Sequence, residues 1–332
     1  MNRLIKYLSY FILIFWASIG FSQSKLQIVN IGNIATTNGE EIKNCKIGYR
    51  TVGELNRDKS NAILWPTWFG GTSEEIVQAS FIASFIDTTK YFIIAIDALT
   101  NGVSSSPSNT NDLPEVSITD MVNSQHQLLV HHLNIQHLHA VMGISLGGIQ
   151  TYEWMVAYPN FMDKAIPIVG TPQLSFYDLL VWQTQIDLIE NAGSNTEDIN
   201  FALKRAYDIF NINKFTPAFY NTKYKLEDID AFKSNQYAKM MDYKDYLFGI
   251  KSMLNHDIYK NLEGDNQIIK DKIKADVLII VSQKDHLVNP AKSIAFSKLL
   301  DCQLVELTGD CGHIAPWCEA QKIKEALSSF LN

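Results

Sequence analysis

The apolar residues of this chain fall into short runs of strand length, with helical patterns between several of them. Most of the runs are continuous rather than alternating, which is typical of strands buried on both faces of a parallel sheet. The pattern therefore predicts an α/β fold with a mostly parallel sheet and helices on both faces. Strands are predicted at residues 26–31, 43–51, 62–65, 91–97, 138–142, 165–169, 277–281 and 303–307.

Sequence patterns typical of turns and helices lie between these runs. Asn38-Gly39, a hairpin-type turn signal, lies between the first two predicted strands. Helices are predicted at residues 74–85 and 118–133, the second from apolar residues at helical spacing, and a closing amphipathic helix is predicted at residues 320–331.

The pattern changes in the second half of the chain. Between residues 172 and 271 the strand-like runs disappear, and aromatic, Asn, Asp and Lys residues become frequent. We interpret residues 23–171 and 272–332 as one sheet core, and residues 172–271 as a helical cap inserted into it. Such an insertion would place a lid over the ends of the strands. Cap helices are predicted at residues 179–189, 201–210, 231–241 and 246–254.

The N-terminus has the residue order of a secretory signal peptide. Arg3 and Lys6 precede an apolar run over residues 7–21, and Gly20 and Ser22 are the small residues expected at positions −3 and −1 of a cleavage site. A membrane anchor is the alternative, but the run is short for a bilayer and no charge cluster follows it. We expect residues 1–22 to be removed, leaving a periplasmic or secreted protein with no stable membrane span.

The composition excludes two classes of protein. With 46% hydrophobic and 19% charged residues, the 332-residue chain can build a large core, which excludes a disordered protein. The net charge of −7 argues against nucleic acid as a partner, because phosphate binding requires an excess of basic residues.

The cysteines leave two alternatives open. The even count of four would allow pairing in an oxidising compartment, and Cys311 and Cys318 bracket His313 closely enough for a local disulfide. Four free thiols in apolar surroundings are the other alternative. The remaining cysteines are Cys45 and Cys302, and since no metal-ligand spacing occurs, we expect neither a metal nor a cofactor.

One motif carries candidate chemistry. Residues 143–147 form a Gly-x-Ser-x-Gly sequence around Ser145, directly after a predicted strand and before a helical pattern that Pro159 ends. Serine in this context sits on a sharp strand-to-helix turn, and the flanking glycines allow the backbone to approach closely. We therefore predict that Ser145 is a nucleophile.

A serine nucleophile needs a histidine base and a carboxylate that orients it. In this architecture the acid and then the histidine follow the serine along the chain, each after a late strand. Asp285 and His313 occupy those positions. Asp276 and Asp310 are weaker candidates for the acid, because the first opens a strand and the second is too close to His313 along the chain.

The developing oxyanion requires two backbone N–H donors. We assign one to Leu146, which follows the nucleophile, and the other to Phe69, in the glycine-containing loop after the third predicted strand. The neighbouring residue Trp68 is the alternative second donor. We also assign the side chains of Trp68 and Trp317 to the wall of a substrate pocket.

Three segments carry a family resemblance, namely residues 47–56, the loop at residues 70–73, and the motif at residues 143–150 followed by Glu153-Trp154. In these segments the chain resembles the homoserine O-acetyltransferase branch of the α/β-hydrolase superfamily. The resemblance implies the α/β-hydrolase fold, a helical lid, and the roles given above to Ser145, Asp285 and His313.

The chain also departs from that branch. The resemblance implies an Asp directly after the base and an arginine after the sixth strand, but Ile314 follows His313 and residues 171–178 contain no arginine. An amino-acid acceptor would lack its charge partners, and acetyl-CoA is a cytoplasmic donor. We therefore expect an exported serine hydrolase that cleaves a small-molecule carboxylic ester through acyl-Ser145. An acetyl-CoA-dependent O-acyltransferase, with an alcohol as acceptor, is the alternative. A homodimer would be compatible with either activity.

Overall fold

An eight-stranded sheet forms the centre of the protein. The structure is a computed structural model and describes residues 24–260 and 266–332, so the predicted signal peptide lies outside the described residues. The strands are β1 (Gln27–Asn30), β2 (Ile34–Ala35), β3 (Glu41–Ile42), β4 (Lys46–Val52), β5 (Ala62–Pro66), β6 (Phe92–Ile96), β7 (Leu138–Ile144), β8 (Met162–Ile168), β9 (Asp276–Ser282) and β10 (Gln303–Leu307).

The sheet is mostly parallel, as predicted. Its strand order is β1-β4-β6-β5-β7-β8-β9-β10, and the strands from β6 to β10 run parallel to one another. Only the β1–β4 and β4–β6 pairs within this sheet are antiparallel. The carboxyl ends of the parallel strands therefore meet at one edge, where loops can bring distant residues together.

The prediction that the Asn38-Gly39 turn joins the first two predicted strands was wrong. The first two predicted strands do pair, as β1 and β4, but the turn joins β2 to β3 in a separate two-stranded sheet. Gly32, with a φ of +86°, follows β1 and turns the chain before that small ribbon begins. Local turn chemistry identified a hairpin but not the strands that it connects.

Helices cover both faces of the sheet. Their residue ranges are α1 (Ser73–Val77), α2 (Ala79–Ile82), α3 (Ile118–Gln127), α4 (Leu146–Ala157), α5 (Phe176–Glu190), α6 (Thr196–Lys214), α7 (Pro217–Lys223), α8 (Ile229–Tyr237), α9 (Tyr243–Leu254), α10 (Asn266–Lys272), α11 (Ala291–Leu300), α12 (Ala315–Cys318) and α13 (Ala320–Leu331). The predicted helix over residues 118–133 continues past α3 as a π-helical turn at Leu128–His132.

The predicted helix over residues 74–85 is broken into α1 and α2. Gln78 has extended backbone angles (φ −57°, ψ 126°) that end one helix and begin the next. Ile76 and Ile82 both belong to one buried apolar cluster. On a single straight helix, side chains six residues apart would point about 120° away from each other. The break lets both isoleucines reach the same core.

Each strand contributes to two apolar layers. Along β5, Ile63 and Trp65 belong to one buried cluster while Ala62 and Leu64 belong to the other, as expected from the period of two in a strand. Both layers are closed by helices, so the central strands contact water on neither face. This explains the continuous apolar runs in the sequence.

Between β8 and β9 the described residues form helices α5 to α10 and one isolated bridge, between Gln173 and Asp257. This agrees with the predicted absence of strands there, and the cap bounds at residues 172 and 271 stay a prediction. Phe69 of the core packs against Trp182 and Tyr246 of this region, with ring centroids 6.1 and 5.1 Å apart. Within the described ranges, no helix combines the length and hydropathy that crossing a bilayer requires.

Candidate active site

Ser145 stands at the junction between β7 and α4. Its backbone angles (φ 58°, ψ −119°) lie in a region that non-glycine residues rarely adopt. Strain of this kind persists only where the surroundings impose it, and it is concentrated at functional sites. The strand-to-helix turn predicted from the Gly-x-Ser-x-Gly sequence is therefore present.

Steric contacts explain the two glycines of the motif. A Cβ atom at Gly143 would lie 2.3 Å from the carbonyl carbon of Gly147. A Cβ atom at Gly147 would lie 2.4 Å from the carbonyl oxygen of Pro66. In both cases the obstructing atom belongs to the backbone and cannot move aside cheaply, so any larger residue would distort the turn that presents Ser145.

A hydrogen-bonded chain links the three residues predicted to act together. The Oγ of Ser145 lies 2.8 Å from Nε2 of His313, and Nδ1 of the same ring lies 2.6 Å from Oδ2 of Asp285. Asp285 and His313 are only 4% and 5% exposed, so little water competes for these bonds. A proton on Nδ1, donated to the carboxylate, leaves Nε2 free to accept the serine proton.

The carboxylate of Asp285 is itself held in place. Its Oδ1 accepts the backbone N–H groups of Leu287 and Val288 at 2.8 and 2.9 Å. Asn289, farther along the loop, donates its N–H to Oδ1 of Asp178 on α5 at 2.9 Å. Burial raises the pKa of the Asp178 carboxyl. Helix α5, in the predicted cap, thus anchors the loop that carries the candidate acid, a contact that the sequence did not predict.

The weaker candidates for the acid lie elsewhere. Asp310 forms an ion pair with Lys284, with Nζ and Oδ1 2.5 Å apart, and both side chains are at least half exposed. Asp276 is exposed at the start of β9. Among the described residues, neither carboxylate forms a hydrogen bond or ion pair with Ser145 or His313.

Two backbone segments carry the predicted oxyanion donors. Leu146 is the first residue of α4, and the first N–H groups of a helix have no acceptor within that helix. Phe69 lies in the loop between β5 and α1, where its ring packs against the cap. The assignment of these two N–H groups, with Trp68 as the alternative to Phe69, stays a prediction.

Two buried polar side chains missed by sequence reasoning hold these segments. The Nε2 of Gln150 donates to the carbonyl oxygens of Thr67 and Leu146, both at 3.2 Å, and so ties the loop to α4. The Oδ1 of Asp97 accepts the N–H of Ser73 at 2.7 Å. Burial raises the pKa of the Asp97 carboxyl. The sequence does show Gln150 and Asp97 as isolated polar residues within strongly apolar segments, and this pattern could have indicated a structural role for both.

Ser145 and His313 open into a cavity of about 650 Å³. Trp68 and Trp317, predicted as pocket walls, both line it, and their rings meet edge to face with centroids 5.7 Å apart. The opposite wall comes from the predicted cap. The sequence showed that this segment is rich in aromatic residues but did not indicate which of them face the cavity. The cap residues that line the cavity are Tyr207, Phe210, Asn211, Lys214, Phe215, Gln236, Lys239, Met241 and Tyr246.

A disulfide joins Cys311 to Cys318 and encloses the segment that carries His313. Of the two alternatives left open for this pair, the disulfide is therefore correct, while Cys45 and Cys302 are free thiols. The cap also contacts this segment, because the Thr216 hydroxyl donates to the carbonyl oxygen of Asp310. The loop that presents the histidine is thus held at several points.

Removing this disulfide is expected to destabilise the protein moderately. The bond closes a loop of sequence separation 7, and loop-closure entropy for so short a loop predicts a loss of about 2 kcal/mol in the free energy of unfolding. Urea denaturation of a Cys311→Ser/Cys318→Ser variant measures it. Cys302→Ser, which removes a half-buried free thiol, is the control and should lower the free energy of unfolding by less than about 1 kcal/mol. An unchanged midpoint in the double variant would contradict the expectation.

A family model described as the alpha/beta hydrolase fold matches residues 63–320, which is most of the chain. The chain belongs to the α/β-hydrolase family. Among the described residues, no group of three or more His, Cys, Asp or Glu side chains could hold a metal ion. Comparisons with individual α/β hydrolases agree with the resemblance seen in the sequence.

This α/β hydrolase is 32% identical to a probable esterase of Corynebacterium glutamicum, over 79% of this chain and 82% of the relative. It is 30% identical to an ethyl acetate hydrolase of Pseudomonas veronii, over 82% and 84% of the two chains. A homoserine O-acetyltransferase of Methanosalsum zhilinae is 28% identical over 89% of this chain and 70% of the relative. A solved acetylester hydrolase from Corynebacterium glutamicum superimposes with a TM-score of 0.84 at 27% identity, covering 93% and 96% of the two chains.

Proposed function

We propose that this α/β hydrolase cleaves carboxylic esters of short acyl chains through an acyl-Ser145 intermediate. The observation that carries the proposal is the uninterrupted hydrogen-bonded chain from the Ser145 hydroxyl through His313 to Asp285, at 2.8 and 2.6 Å. This chain opens into an aromatic cavity large enough for a small ester. The ethyl acetate hydrolase and the acetylester hydrolase among the relatives support a short acyl group.

In the first half of the proposed reaction, the Oγ of Ser145 attacks the ester carbonyl carbon while Nε2 of His313 takes the serine proton. Asp285 stabilises the imidazolium that forms. The N–H groups of Leu146 and Phe69 are proposed to bind the negative oxygen of the tetrahedral intermediate. The bond to the alcohol then breaks, and His313 returns the proton to the leaving oxygen.

In the second half, water attacks the acyl carbon and gives its proton to Nε2 of His313. Collapse of the second tetrahedral intermediate breaks the bond between the acyl carbon and Ser145. The proton on His313 passes to the serine oxygen, which restores the enzyme and releases the carboxylic acid. The half-buried position of Ser145 beside an open cavity gives water a route to the intermediate.

Acyl transfer to an alcohol is the second candidate, because the same acyl-enzyme would form and homoserine O-acetyltransferases are relatives. Ile314 directly after His313, and the absence of arginine from residues 171–178, count against an amino-acid acceptor. A comparison of nitrophenyl acetate hydrolysis with acetyl-CoA consumption in the presence of homoserine separates the two. We expect ester hydrolysis. Efficient formation of acetylhomoserine with negligible hydrolysis would overturn the hydrolase proposal.

We also propose that the protein is exported. The basic and apolar order of the N-terminus supports this, and so does the disulfide between Cys311 and Cys318, since such bonds persist in oxidising compartments. The test is expression of the full chain in a bacterium, followed by fractionation and mass spectrometry of the N-terminus. A soluble exported form beginning at Gln23 is expected. An intact N-terminus retained in the membrane fraction would instead indicate an anchor.

A further inference from the structure

Two lysines of the cap line the cavity that contains Ser145 and His313. Lys214 ends α6 and is half-buried, and Lys239 follows α8 and is exposed at the mouth. Of the carboxylates in the described ranges, none forms an ion pair with either lysine. The cavity therefore carries two lysine side chains, neither of which is in ion-pair contact with a carboxylate of the described residues.

One carboxylate of the cavity lining, Glu75, only partly offsets these charges. Glu75 lines the same cavity, but its Oε2 accepts the N–H of Thr72 at 2.8 Å and so caps α1. Burial, together with repulsion from Lys239, holds the pKa of Lys214 below its usual value, and the opposing effect of Glu75 is smaller. An anion between the two lysines would relieve this repulsion and replace lost hydration.

Aromatic rings orient the Lys214 side chain along the cavity wall. Its Nζ lies 5.7 Å from the ring centroid of Phe210 and 5.5 Å from that of Phe215, both within cation–π range. Both rings line the cavity as well. The ammonium group is thus held at the wall, where a bound ester can reach it, rather than extended into solvent.

The backbone of Lys214 lies beside the loop that carries His313. A Cβ atom at Gly312 would lie 2.9 Å from the carbonyl oxygen of Lys214, so the cap crosses directly over the residue before His313. A histidine in this role protonates the leaving alcohol, and the alcohol part of the ester therefore lies beside it. Because His313, Lys214 and Lys239 all line this cavity, a negative group on the alcohol part would share the cavity with both lysines.

We propose that Lys214 and Lys239 bind a carboxylate on the alcohol part of the substrate, so that the preferred substrates are short-chain acyl esters of small hydroxy acids. The inference rests on the proposed ester hydrolysis. Hydrolysis of such an ester breaks the bond between the acyl carbon and the hydroxy-acid oxygen. The acyl group passes to Ser145 and then to water, and the released hydroxy acid takes its proton from His313.

The test uses acetoxyacetate and its neutral analogue acetoxyacetamide, which differ in charge but hardly in size. In the wild-type protein we expect kcat/KM for acetoxyacetate to be about tenfold higher than kcat/KM for acetoxyacetamide. This is the effect expected from one charge pair at a partly dehydrated site. Lys214→Gln and Lys239→Gln should each reduce this ratio, and the double variant should bring it close to one. Lys239 is exposed, so its variant remains informative even if Lys214→Gln folds poorly.

Lys244→Gln is the matched control, because Lys244 is an exposed cap lysine that does not line the cavity. It should leave the ratio unchanged. Equal rates for the two esters in a wild-type protein that readily hydrolyses nitrophenyl acetate would overturn the carboxylate inference and leave the proposed function standing. Failure to hydrolyse any of the three esters would overturn the proposed function, and this inference with it.

Discussion

Replacement of Ser145 by alanine is expected to lower kcat for nitrophenyl acetate by roughly 10⁵-fold, since a serine hydrolase without its nucleophile retains only binding and oxyanion stabilisation. The hydroxyl is the atom that the 2.8 Å contact aligns with His313. Alanine tolerates the Ser145 backbone angles about as well as serine does, so the free energy of unfolding should change by less than about 1 kcal/mol.

Steady-state kinetics and labelling with a fluorophosphonate probe measure this effect together. The wild-type protein should be labelled at Ser145 and the variant should not. Ser84→Ala is a suitable control, because Ser84 is half-buried, does not line the cavity that contains Ser145, and donates its hydroxyl to the carbonyl oxygen of Ser80. Full hydrolytic activity in the Ser145→Ala protein would show that another residue is the nucleophile.

Asp285→Asn is expected to lower kcat by about 10⁴-fold while leaving the fold intact. The amide oxygen of asparagine can still accept the N–H groups of Leu287 and Val288, which keeps its NH₂ group facing Nδ1 of His313. That NH₂ donates to Nδ1, so the ring proton must move to Nε2. Nε2 can then no longer accept the proton of Ser145.

Asp310→Asn is the matched control for this variant. Asp310 was the alternative acid, and its carboxylate pairs with Lys284 at the surface. Exposed pairs of this kind contribute about 0–1 kcal/mol, so both activity and stability should change little. If Asp310→Asn abolished hydrolysis and Asp285→Asn preserved it, the assignment of the acid would be wrong.

The order of the three residues along the chain was sufficient to predict their meeting. Parallel strands deliver their following loops to one edge of the sheet, so residues after β7, β9 and β10 converge there whatever their separation in sequence. The Gly-x-Ser-x-Gly motif added a steric requirement that only a tight turn satisfies. The motif is a local signal, whereas the order of the three residues acts through the topology of the sheet.

Features that depend on packing between distant segments were not predicted. The break at Gln78 lets Ile76 and Ile82 share one core, and the Asn38-Gly39 turn joins β2 to β3 rather than β1 to β4, which pair without it. Helical periodicity and turn propensity depend only on residues that lie a few positions apart in the sequence. They contain no information about a sheet that the segment meets only after folding.

Residue spacing alone was enough to predict the α/β architecture, the turn at Ser145, and the candidate acid and base, because buried strands, flanking glycines and the order of the strands all leave a pattern along the chain. The surroundings of these residues became visible only in the folded protein. The hydrogen bond from Asn289 to Asp178 and the lining of the cavity by Lys214 and Lys239 both occur where the predicted cap packs on the core. Such contacts join residues whose spacing along the chain follows no period, so no local pattern could reveal them.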